Sequence, residues 1–290
     1  MNSLQYKRSQ LKLLSSDIKS NPETVLFICN NIDKFYREWS EKKPDKVNGG
    51  FKKYKDGTEK VRTITPSLNE LKAIQRRIKD NILEPIKLPK EVHGGVKKRS
   101  NVTNAKPHQG NKYQFTTDLQ SFYPSITHSR VYDTFLDLGF SNHYSHWLTK
   151  LTTWKYKLPQ GTPTSTHIAN IVFLETDYRL IQFCNNNNIT YTRYVDDLTF
   201  SSQQCFKHLL QDLLKIVLDG NFKISYRKTK YSGYQNITGI DVFNNYVDAP
   251  QKVKTKAKIE IKTNSEFKPY LNYLNTIRRT NKEKPATNNR

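Results

Sequence analysis

A tight hairpin with acidic residues at its tip is the feature that most restricts how this chain can fold. Residues 189–195 and 198–201 are rich in strand-forming side chains, and only Asp196 and Asp197 separate the two runs. A two-residue connection predicts paired antiparallel strands. Successive side chains on a strand point to opposite faces, so adjacent carboxylates converge on one site only at a turn or strand end. The sequence therefore predicts a hairpin that presents two carboxylates together.

Strands and helices alternate around this hairpin. Between residues 113 and 243 the order β-α-α-β-β-α-β-β predicts an α+β fold, with a mostly antiparallel sheet covered by helices on one face. Apolar spacing, capping residues and turn residues place the elements. Helices are predicted at 11–18, 22–39, 67–85 (opened by a Ser67-x-x-Glu70 capping box), 127–139, 163–184, 203–219 and 267–278. A hairpin pairs 51–55 with 59–64 about Asp56-Gly57, and further strands are predicted at 113–118, 222–226 and 237–243. Residues 283–290 are predicted to be a disordered tail.

The charge balance points to a polyanionic partner. The chain has 48 Lys+Arg against 26 Asp+Glu, a net charge of +22 spread over its whole length; a merely soluble basic surface is the alternative. The 17 Tyr, 14 Phe and 3 Trp interleaved with these cations suit stacking on unpaired bases. Widely spaced cysteines and short apolar stretches predict a cytoplasmic protein with no membrane association.

Three carboxylates are candidates for catalysis. Asp118 ends a predicted strand, and Asp196 and Asp197 lie at the hairpin tip. Carboxylates held together repel one another, and hard divalent cations relieve that repulsion. Two Mg²⁺ about 4 Å apart can activate an attacking hydroxyl and stabilise the leaving oxygen of a phosphoryl displacement. The pattern favours nucleotidyl transfer over the alternative, an ordinary acidic turn.

Five motifs resemble, in order along the chain, those of bacterial retron reverse transcriptases within the group II intron and retron-like family. Tyr194-Val195-Asp196-Asp197 is similar to the Y-x-D-D box of these enzymes. The other four are Asn104-Ala105-Lys106-Pro107-His108 (N-A-x-x-H), the first catalytic-aspartate motif at 118–126, the template and nucleotide motif at 158–165, and Ile237-Thr238-Gly239 (V-T-G, with Ile for Val). The resemblance covers about residues 61–253, and it implies a right-hand polymerase with fingers, palm and thumb.

This chain departs from the family pattern at two places. Thr166 replaces the proline of the usual S-P-x-L-A-N sequence, and Val195 stands where retron enzymes often have alanine. Neither change removes a catalytic group, but both leave the retron type open.

The resemblance implies a role for each matching residue. Asp118 and Asp196 would be the main ligands of two Mg²⁺, with the backbone carbonyl of Leu119 and the side chain of Asp197 completing the set. Tyr123 would lie beneath the nucleotide sugar and exclude a 2′-hydroxyl; a buried core tyrosine is the alternative.

Four more residues would contact the incoming dNTP. Gln160 and Gly161 would lie against the nucleotide, where glycine permits close approach, although a plain turn explains them as well. Arg62 would grip the triphosphate, or be one more solvated charge. Lys228 would protonate the leaving pyrophosphate, or contact a nucleic-acid backbone.

The remaining matches would bind RNA. Asn104 and His108 would hold the RNA or the local loop, and a satisfied structural histidine is the alternative for His108. A lysine row would lie along the template-primer duplex, or be a solvated charge run. The row consists of Lys252, Lys254, Lys256 and Lys258.

The expected domains are N-terminal helices and fingers at 1–112, a palm at 113–243 of which 129–154 is partly fingers, and a short thumb at 244–290. The implied activity is RNA-directed DNA synthesis from dNTPs. A structured non-coding RNA would serve as template and supply a 2′-hydroxyl primer, leaving a branched RNA–DNA (msDNA) used in antiphage defence with a separate effector protein. The alternatives are a phage-exclusion or diversity-generating reverse transcriptase, and a non-catalytic RNA-binding scaffold.

Overall fold

The computed structural model describes residues 3–44, 49–53, 56–233 and 236–281 of the 290-residue chain. The chain divides into two compact units. The first consists of Met1–Leu88 and Ser121–Phe173, and the second of Pro89–Gln120 and Leu174–Arg290. The predicted tail at 283–290 and the end of the predicted strand at 54–55 lie outside the described residues.

Helices contribute most of the secondary structure in the described residues. The α-helices are α1 (Ser3–Asp17), α2 (Pro22–Asn30), α3 (Asn69–Ile78), α4 (Asn101–Ala105), α5 (Phe122–Ser125), α6 (His128–Asp137), α7 (Asn142–Thr152), α8 (Ser165–Val172), α9 (Leu174–Asn186), α10 (Leu210–Asp219), α11 (Gln251–Lys262) and α12 (Pro269–Arg279). Shorter helical turns are Ile32–Phe35, Lys79–Leu83, Lys106–His108, Lys207–Leu209 and Tyr226–Lys228.

The strands of the described residues form antiparallel sheets of two, four and three strands. The strands are β1 (Trp39–Lys42), β2 (Val61–Ile64), β3 (Tyr113–Asp118), β4 (Thr190–Tyr194), β5 (Asp197–Ser202), β6 (Lys230–Ser232), β7 (Asn236–Ile237), β8 (Ile240–Val242) and β9 (Val247–Asp248). Their spatial orders are β1-β2, β4-β5-β3-β6 and β7-β8-β9.

In the first unit, α7 is the helix on which α1, α2 and α3 pack. Leu14 of α1 and Leu148 of α7 are completely buried, as expected for apolar residues on facing helix surfaces. The Tyr144 hydroxyl of α7 donates to Asp17 Oδ2 of α1 at 2.7 Å. Apolar burial and a polar contact at the edge thus hold this bundle together.

The second predicted helix ends earlier than expected. Asn21 caps α2 as predicted, because its Oδ1 accepts a hydrogen bond from Glu23 N at 2.8 Å. The helix stops at Asn30, and Trp39 begins strand β1 instead of ending a helix. Phe35 is buried while Trp39 is 40% exposed, so the two aromatic rings do not share a buried helix face. The helical spacing of these rings was therefore misleading.

The predicted basic hairpin has a different outer partner. The turn at Asp56-Gly57 forms, and a bridge between Lys53 and Glu59 closes it. Strand β2, however, pairs with β1, which places Arg62 opposite Glu41. The predicted pairing is present at its inner end, where Lys60 N donates to the Lys52 carbonyl at 2.7 Å, and β1 replaces it as the partner of residues 61–64, because local turn residues define only the innermost pairing of a longer antiparallel ribbon.

The predicted capping box at Ser67 does not form. Helix α3 begins at Asn69 with Leu68 at its N-cap, and no side chain caps the helix. Ser67 lies in an extended bridge with Tyr36, and its buried hydroxyl has no hydrogen-bond partner in the described residues. Pairing with the preceding segment therefore displaces Ser67 from the capping position.

The four-stranded sheet is the centre of the second unit. In its register, Phe200 of β5 lies between Phe115 of β3 and Tyr191 of β4. The three rings stack, with centroid separations of 5.7 Å and 5.0 Å from Phe200. Helix α9 packs on β4, and α10 packs on α9. This arrangement confirms the predicted α+β class with an antiparallel sheet.

Two predicted helices are interrupted. The single helix predicted at 163–184 is two helices, α8 and α9, and the break falls where the chain passes from the first unit to the second. The apolar pattern is continuous across this boundary, so it does not show that the chain leaves one hydrophobic core and enters another. The helix predicted at 203–219 becomes regular only at Leu210, after a 3₁₀ turn.

Two strands were also predicted incorrectly. In place of a strand at 222–226, only Ile224 bridges Leu119, and β6 is the outer strand beside β3. The strand predicted at 237–243 is a β7–β8 hairpin. Thr238 and Gly239 form its turn with φ of 47° and 80°, and two positive φ angles fit a two-residue hairpin.

The C-terminal segment has its own apolar cluster within the second unit. Helices α11 and α12 pack together and bury Ala257 and Ile277 against Ile240 and Val102. The helix predicted at 267–278 is present as α12. Across the described segments of the chain, no helix combines the length and apolarity required to cross a bilayer.

Candidate active site

The catalytic carboxylates predicted from the sequence come together at one end of the four-stranded sheet. Asp118 is the last residue of β3, and Asp197 is the first residue of β5. The two are direct partners in the β3–β5 register, and Asp197 also faces Tyr194 across the hairpin. Side chains directly opposite on antiparallel strands have Cβ atoms about 5 Å apart. Sheet pairing therefore holds the two carboxylates side by side.

Asp196 occupies the turn between the strands. The turn residue before it, Val195, has φ of 60°, and the Asp196 carbonyl accepts a hydrogen bond from Leu119 N at 2.9 Å. Leu119 pairs with Ile224 in a bridge whose hydrogen bonds are made by the residues flanking Leu119. The Leu119 N–H and C=O thus point towards the hairpin tip, the direction required by the predicted metal-ligand role of this carbonyl.

Negative charge is concentrated at this site. The pKa of Asp197 is raised to about 7, first by burial and then by repulsion from Asp196 and a hydrogen bond with Asp118. Lys228 opposes this shift. Its Nζ lies 2.5 Å from Asp118 Oδ2, although the lysine side chain is 57% exposed. An exposed cation on a buried carboxylate can exchange partners when a charged ligand arrives.

The donor atoms at this site fit Mg²⁺. The predicted ligands, namely three carboxylates and one backbone carbonyl, are hard oxygen donors, and the raised pKa of Asp197 marks a place where added positive charge is favourable. In the parts of the chain that the structure describes, no three acidic, histidine or cysteine side chains already form a metal-binding cluster. The roles of Asp118, Leu119, Asp196 and Asp197 as ligands therefore remain predictions.

A cavity of about 230 Å³ opens beside the carboxylates. Asp118, Asp197 and Lys228 line one part of it, and Ile237 and Thr238 line another. Two residues of the I-T-G motif and two of the predicted catalytic carboxylates, which lie far apart in the sequence, thus border one space in the second unit.

The predicted nucleotide contacts Arg62, Gln160 and Gly161 belong to the first unit. The Gln160 carbonyl accepts a hydrogen bond from Thr65 N at 2.7 Å, just after strand β2, which carries Arg62. Gly161 has φ of 109°, and a Cβ there would lie 3.2 Å from Ile64 Cγ2. Glycine is therefore needed both for the backbone conformation and for close packing. The structure brings the Gln160-Gly161 loop against the end of the arginine-bearing strand.

Tyr123, also in the first unit, is half-buried at α5. Its hydroxyl lies 3.0 Å from Thr166 Oγ1 in α8. Thr166 is the residue that replaces the family's proline, and a proline there could not make this contact. The substitution is visible in the sequence. Its consequence is not: Thr166 provides a hydrogen-bonding partner for the ring that is predicted to contact the sugar.

The predicted RNA contacts Asn104 and His108 need a correction. Both side chains are fully buried, so neither can contact RNA in this conformation. The His108 ring bonds Ser201 Oγ at 2.6 Å through Nδ1 and Thr192 Oγ1 at 2.7 Å through Nε2. Asn104 Nδ2 donates to Thr238 Oγ1 at 3.3 Å. The motif instead connects the back of the β4–β5 hairpin to the turn of the I-T-G motif.

The burial of His108 predicts a pH effect on stability. Burial lowers the pKa of His108 from 6.5 to about 3. Between pH 7.5 and pH 5 the unfolded chain gains a proton on this ring while the folded chain does not, which costs about 2 kcal/mol of stability. In urea unfolding at both pH values, His108→Gln should reduce the pH-dependent loss by about that amount. The exposed His208 is the control; equal pH dependence in His108→Gln and His208→Gln would contradict the assignment.

The predicted lysine row is not a row. Lys252, Lys254, Lys256 and Lys258 lie on helix α11, where residues two apart point about 200° away from each other. Lys254 Nζ pairs with Asp248 at 2.8 Å, and Lys256 Nζ donates to Tyr270 Oη at 2.7 Å. Lys252 and Lys258 are exposed. The alternating pattern, which would suit a strand, thus divides the lysines between two helix faces.

A buried ion pair next to the hairpin was not predicted. Arg193 and Asp177 have fully buried side chains, with Arg193 Nε 2.9 Å from Asp177 Oδ1 and Nη2 2.5 Å from Oδ2. Tyr191 Oη donates to the same carboxylate at 2.8 Å. The sequence offered one signal for this pair, a charged residue inside an apolar strand.

Comparison with known families agrees with this geometry. The model of a family described as reverse transcriptase (RNA-dependent DNA polymerase) matches residues 42–275. The chain belongs to the reverse transcriptase family. This membership supports the right-hand polymerase class predicted from the motifs.

Several curated relatives are retron enzymes, which confirms the resemblance found in the motifs. The chain is 36% identical over 192 residues to the retron Ec86 reverse transcriptase of Escherichia coli, an alignment covering 64% of this chain and 60% of that relative. It is 35% identical over 162 residues to the retron Se72 reverse transcriptase of Salmonella heidelberg (strain 579083-10), covering 54% of this chain and 43% of that relative. The chain therefore spans about half the length of these relatives.

Among solved structures, a telomerase from Candida albicans aligns with 83% of this chain and 55% of its own, at 10% identity and a TM-score of 0.44. A likeness at this level does not define a shared fold.

Proposed function

We propose that this protein is a retron-type RNA-directed DNA polymerase that copies a structured non-coding RNA into DNA. The direct pairing of Asp118 with Asp197 at the sheet end, with Asp196 in the adjoining turn, is the observation that carries the proposal. Nucleotidyl transfer needs oxygen ligands grouped in this way. The retron enzymes among the relatives support the choice of an RNA template.

The reaction is attack of a primer hydroxyl on the α-phosphate of a dNTP, with pyrophosphate leaving. When bound, two Mg²⁺ supply the charge that activates the hydroxyl and stabilises the leaving oxygen. Asp118, Asp196, Asp197 and the Leu119 carbonyl would hold them. Lys228 would release Asp118 and donate a proton to the leaving pyrophosphate.

Four residues would contact the incoming nucleotide. Arg62 would bind the triphosphate with its planar, bidentate guanidinium. Gln160 and Gly161 would lie along the nucleotide. Tyr123, held through its hydroxyl by Thr166, would occupy the space that a 2′-hydroxyl requires. In this assignment residues 1–112, with part of 129–154, act as fingers, 113–243 as palm and 244–290 as thumb.

The RNA would serve as both template and primer. A 2′-hydroxyl within the folded RNA would start synthesis, so the product would be a branched RNA–DNA molecule. The net charge of +22 suits binding of a large polyanion. We further propose that the protein acts in the cytoplasm, in antiphage defence, together with a separate effector protein.

The test is an incorporation assay with the RNA encoded next to the gene. The purified protein is supplied with labelled dNTPs and Mg²⁺, and the products are sized before and after RNase treatment. A discrete DNA that shortens on RNase treatment and is absent with Asp196→Asn supports the proposal. Absence of DNA from the unmodified protein rejects polymerase activity.

A third result separates the two reverse transcriptase hypotheses. DNA whose size does not change with RNase retains the polymerase but rejects RNA priming. That outcome would assign the protein to another prokaryotic reverse transcriptase type.

The thumb assignment predicts a specific salt effect. If α11 binds a duplex, replacing the exposed Lys252 and Lys258 with alanine should flatten the plot of log affinity against log salt by about one unit per lysine. Lys254→Ala with Lys256→Ala is the matched variant, because both lysines already have protein partners. An unchanged slope in the first variant would remove α11 from the RNA interface.

A further inference from the structure

The catalytic turn has a backbone conformation that needs support. Val195 is β-branched, yet it has φ of 60°. Such a conformation costs about 1–3 kcal/mol and persists only where the surroundings hold it. Asp196 and Asp197 follow immediately, so a change at Val195 would redirect both carboxylates. The residues that contact this turn from behind therefore matter to the site.

Gly94 is one of these residues. A Cβ at Gly94 would lie 2.5 Å from the backbone nitrogen of Val195 and 3.0 Å from the carbonyl carbon of Tyr194. The added Cβ would also collide with Val195 Cγ2, but real Cβ atoms do not approach backbone atoms so closely either, so the turn itself would have to move. The φ of Gly94 is not in the left-handed region. Glycine is thus required there for space and not for its conformational freedom.

Backbone pairing fixes Gly94 at this position. Arg193 N donates to the Glu91 carbonyl at 2.8 Å, and His93 N donates to the Arg193 carbonyl at 2.8 Å. These bonds form a parallel bridge between Val92 and Arg193. A side chain added at Gly94 could not be relieved without breaking this pairing.

The side chain of Arg193 holds the other side of the turn. Its Nη1 donates to the Val195 carbonyl at 2.9 Å. Asp177 fixes the guanidinium through two hydrogen bonds, and Tyr191 Oη fixes Asp177. Arg193 is thus held by Asp177 through Nε and Nη2, and its Nη1 donates to the carbonyl of the strained Val195.

We propose that Gly94 and Arg193 are positioning residues, which hold the Val195–Asp196 turn so that Asp196 and Asp197 face the reacting groups. The inference rests on the proposed polymerase function, although neither residue is assigned a contact with substrate. The positioning role explains two features behind the hairpin: the buried charge of Arg193, and a glycine, Gly94, at a position that does not have a positive φ.

The test uses Gly94→Ala. Its kcat for dNTP incorporation should fall by about 100-fold, because small displacements of catalytic groups have effects of that size. The KM for dNTP and the Kd for RNA should change by less than about threefold, because binding energy common to ground and transition states is retained. As a readout without turnover, Mn²⁺ binding followed by electron paramagnetic resonance should weaken by about tenfold, or about 1.4 kcal/mol.

Two other glycines provide matched controls. At Gly220 an added Cβ would collide with Thr176 Oγ1, so Gly220→Ala should strain the fold while kcat and Mn²⁺ affinity are kept. At Gly233 the nearest atom would be 3.6 Å away, an ordinary contact, so Gly233→Ala should change neither stability nor activity. Neither control glycine has a positive φ.

Arg193→Lys tests the second residue. Lysine keeps a cation beside Asp177 but lacks the planar fork needed to bind Asp177 and the Val195 carbonyl together. A fall in kcat with near-normal KM supports the inference. A kcat like that of the unmodified protein in this variant removes Arg193 from it.

The results distinguish this inference from the proposed function. If Gly94→Ala matches Gly220→Ala in both kcat and Mn²⁺ affinity while the unmodified protein polymerises, the positioning role of Gly94 is overturned and the polymerase function stands. If the unmodified protein incorporates no dNTP but Gly94→Ala alone weakens Mn²⁺ binding, the positioning role stands and the polymerase function falls.

Discussion

Replacing Asp118 with asparagine is expected to lower dNTP incorporation by about 10³-fold, equivalent to about 4 kcal/mol of transition-state stabilisation. Asparagine has nearly the same shape, but it cannot supply the negative charge that a divalent cation or Lys228 requires. The folded state should change little, since loss of the pair with the 57% exposed Lys228 is offset by relief of repulsion between the directly opposed Asp118 and Asp197. The measurement is single-nucleotide incorporation at saturating dNTP and Mg²⁺, together with thermal unfolding.

Asp212 provides the control for this experiment. It is exposed in the first turn of α10, and Asp212→Asn should leave incorporation within about twofold, as expected for a surface charge away from the chemistry. RNA binding should be retained in both variants. An Asp118→Asn protein with more than about a tenth of normal activity would contradict the assignment of this carboxylate to the catalytic set.

Loss of the buried ion pair should have the largest effect on stability. Asp177→Asn leaves the guanidinium of Arg193 fully buried without an anionic partner, a change that costs about 3–5 kcal/mol of the free energy of unfolding. Unfolding in urea followed by circular dichroism measures the loss. The double variant Asp177→Leu with Arg193→Met should recover much of this stability, because it removes both buried charges together.

Asp219 is the matched acidic residue for that experiment. It pairs with Arg179 at 3.4 Å and Lys215 at 3.2 Å on the surface, and exposed pairs of this kind contribute little to stability. Asp219→Asn should therefore change stability little. A loss in Asp177→Asn no greater than in Asp219→Asn would show that the buried pair does not stabilise the fold.

Local sequence was informative wherever the decisive interaction is local. The hairpin of β4 and β5 was predicted because strand-forming runs flank a two-residue connection, and its acidic tip followed from the same short segment. The cap at Asn21 and the strand leading into Asp118 were predicted for a similar reason. In the hairpin and the cap, neighbouring residues contribute most of the energy that defines the element, whereas the strand leading into Asp118 was recognisable from its alternating pattern although distant β5 completes it.

The failures have a different physical origin. Strand β2 pairs with β1, which lies outside the predicted hairpin. The apolar residues at 163–184, predicted as one helix, belong to two units. A sequence pattern reports which face of an element is apolar, but not which distant surface covers it. The alternating lysines suggested one row of charge, and helix formation by α11 separated them.

Among the site residues, the sequence by itself determined chemical identity: which carboxylates, cations and glycines are available, and the family to which their motifs belong. Only the tertiary structure decided their partners. Asn104 and His108 belong to a recognisable motif, yet they are buried behind the β4–β5 hairpin. Gly94 carries no recognisable signal, and its contact with Val195 exists only because a parallel bridge places it there. Such contacts join residues about 100 positions apart along the chain, and their energies arise from packing that a one-dimensional pattern does not contain.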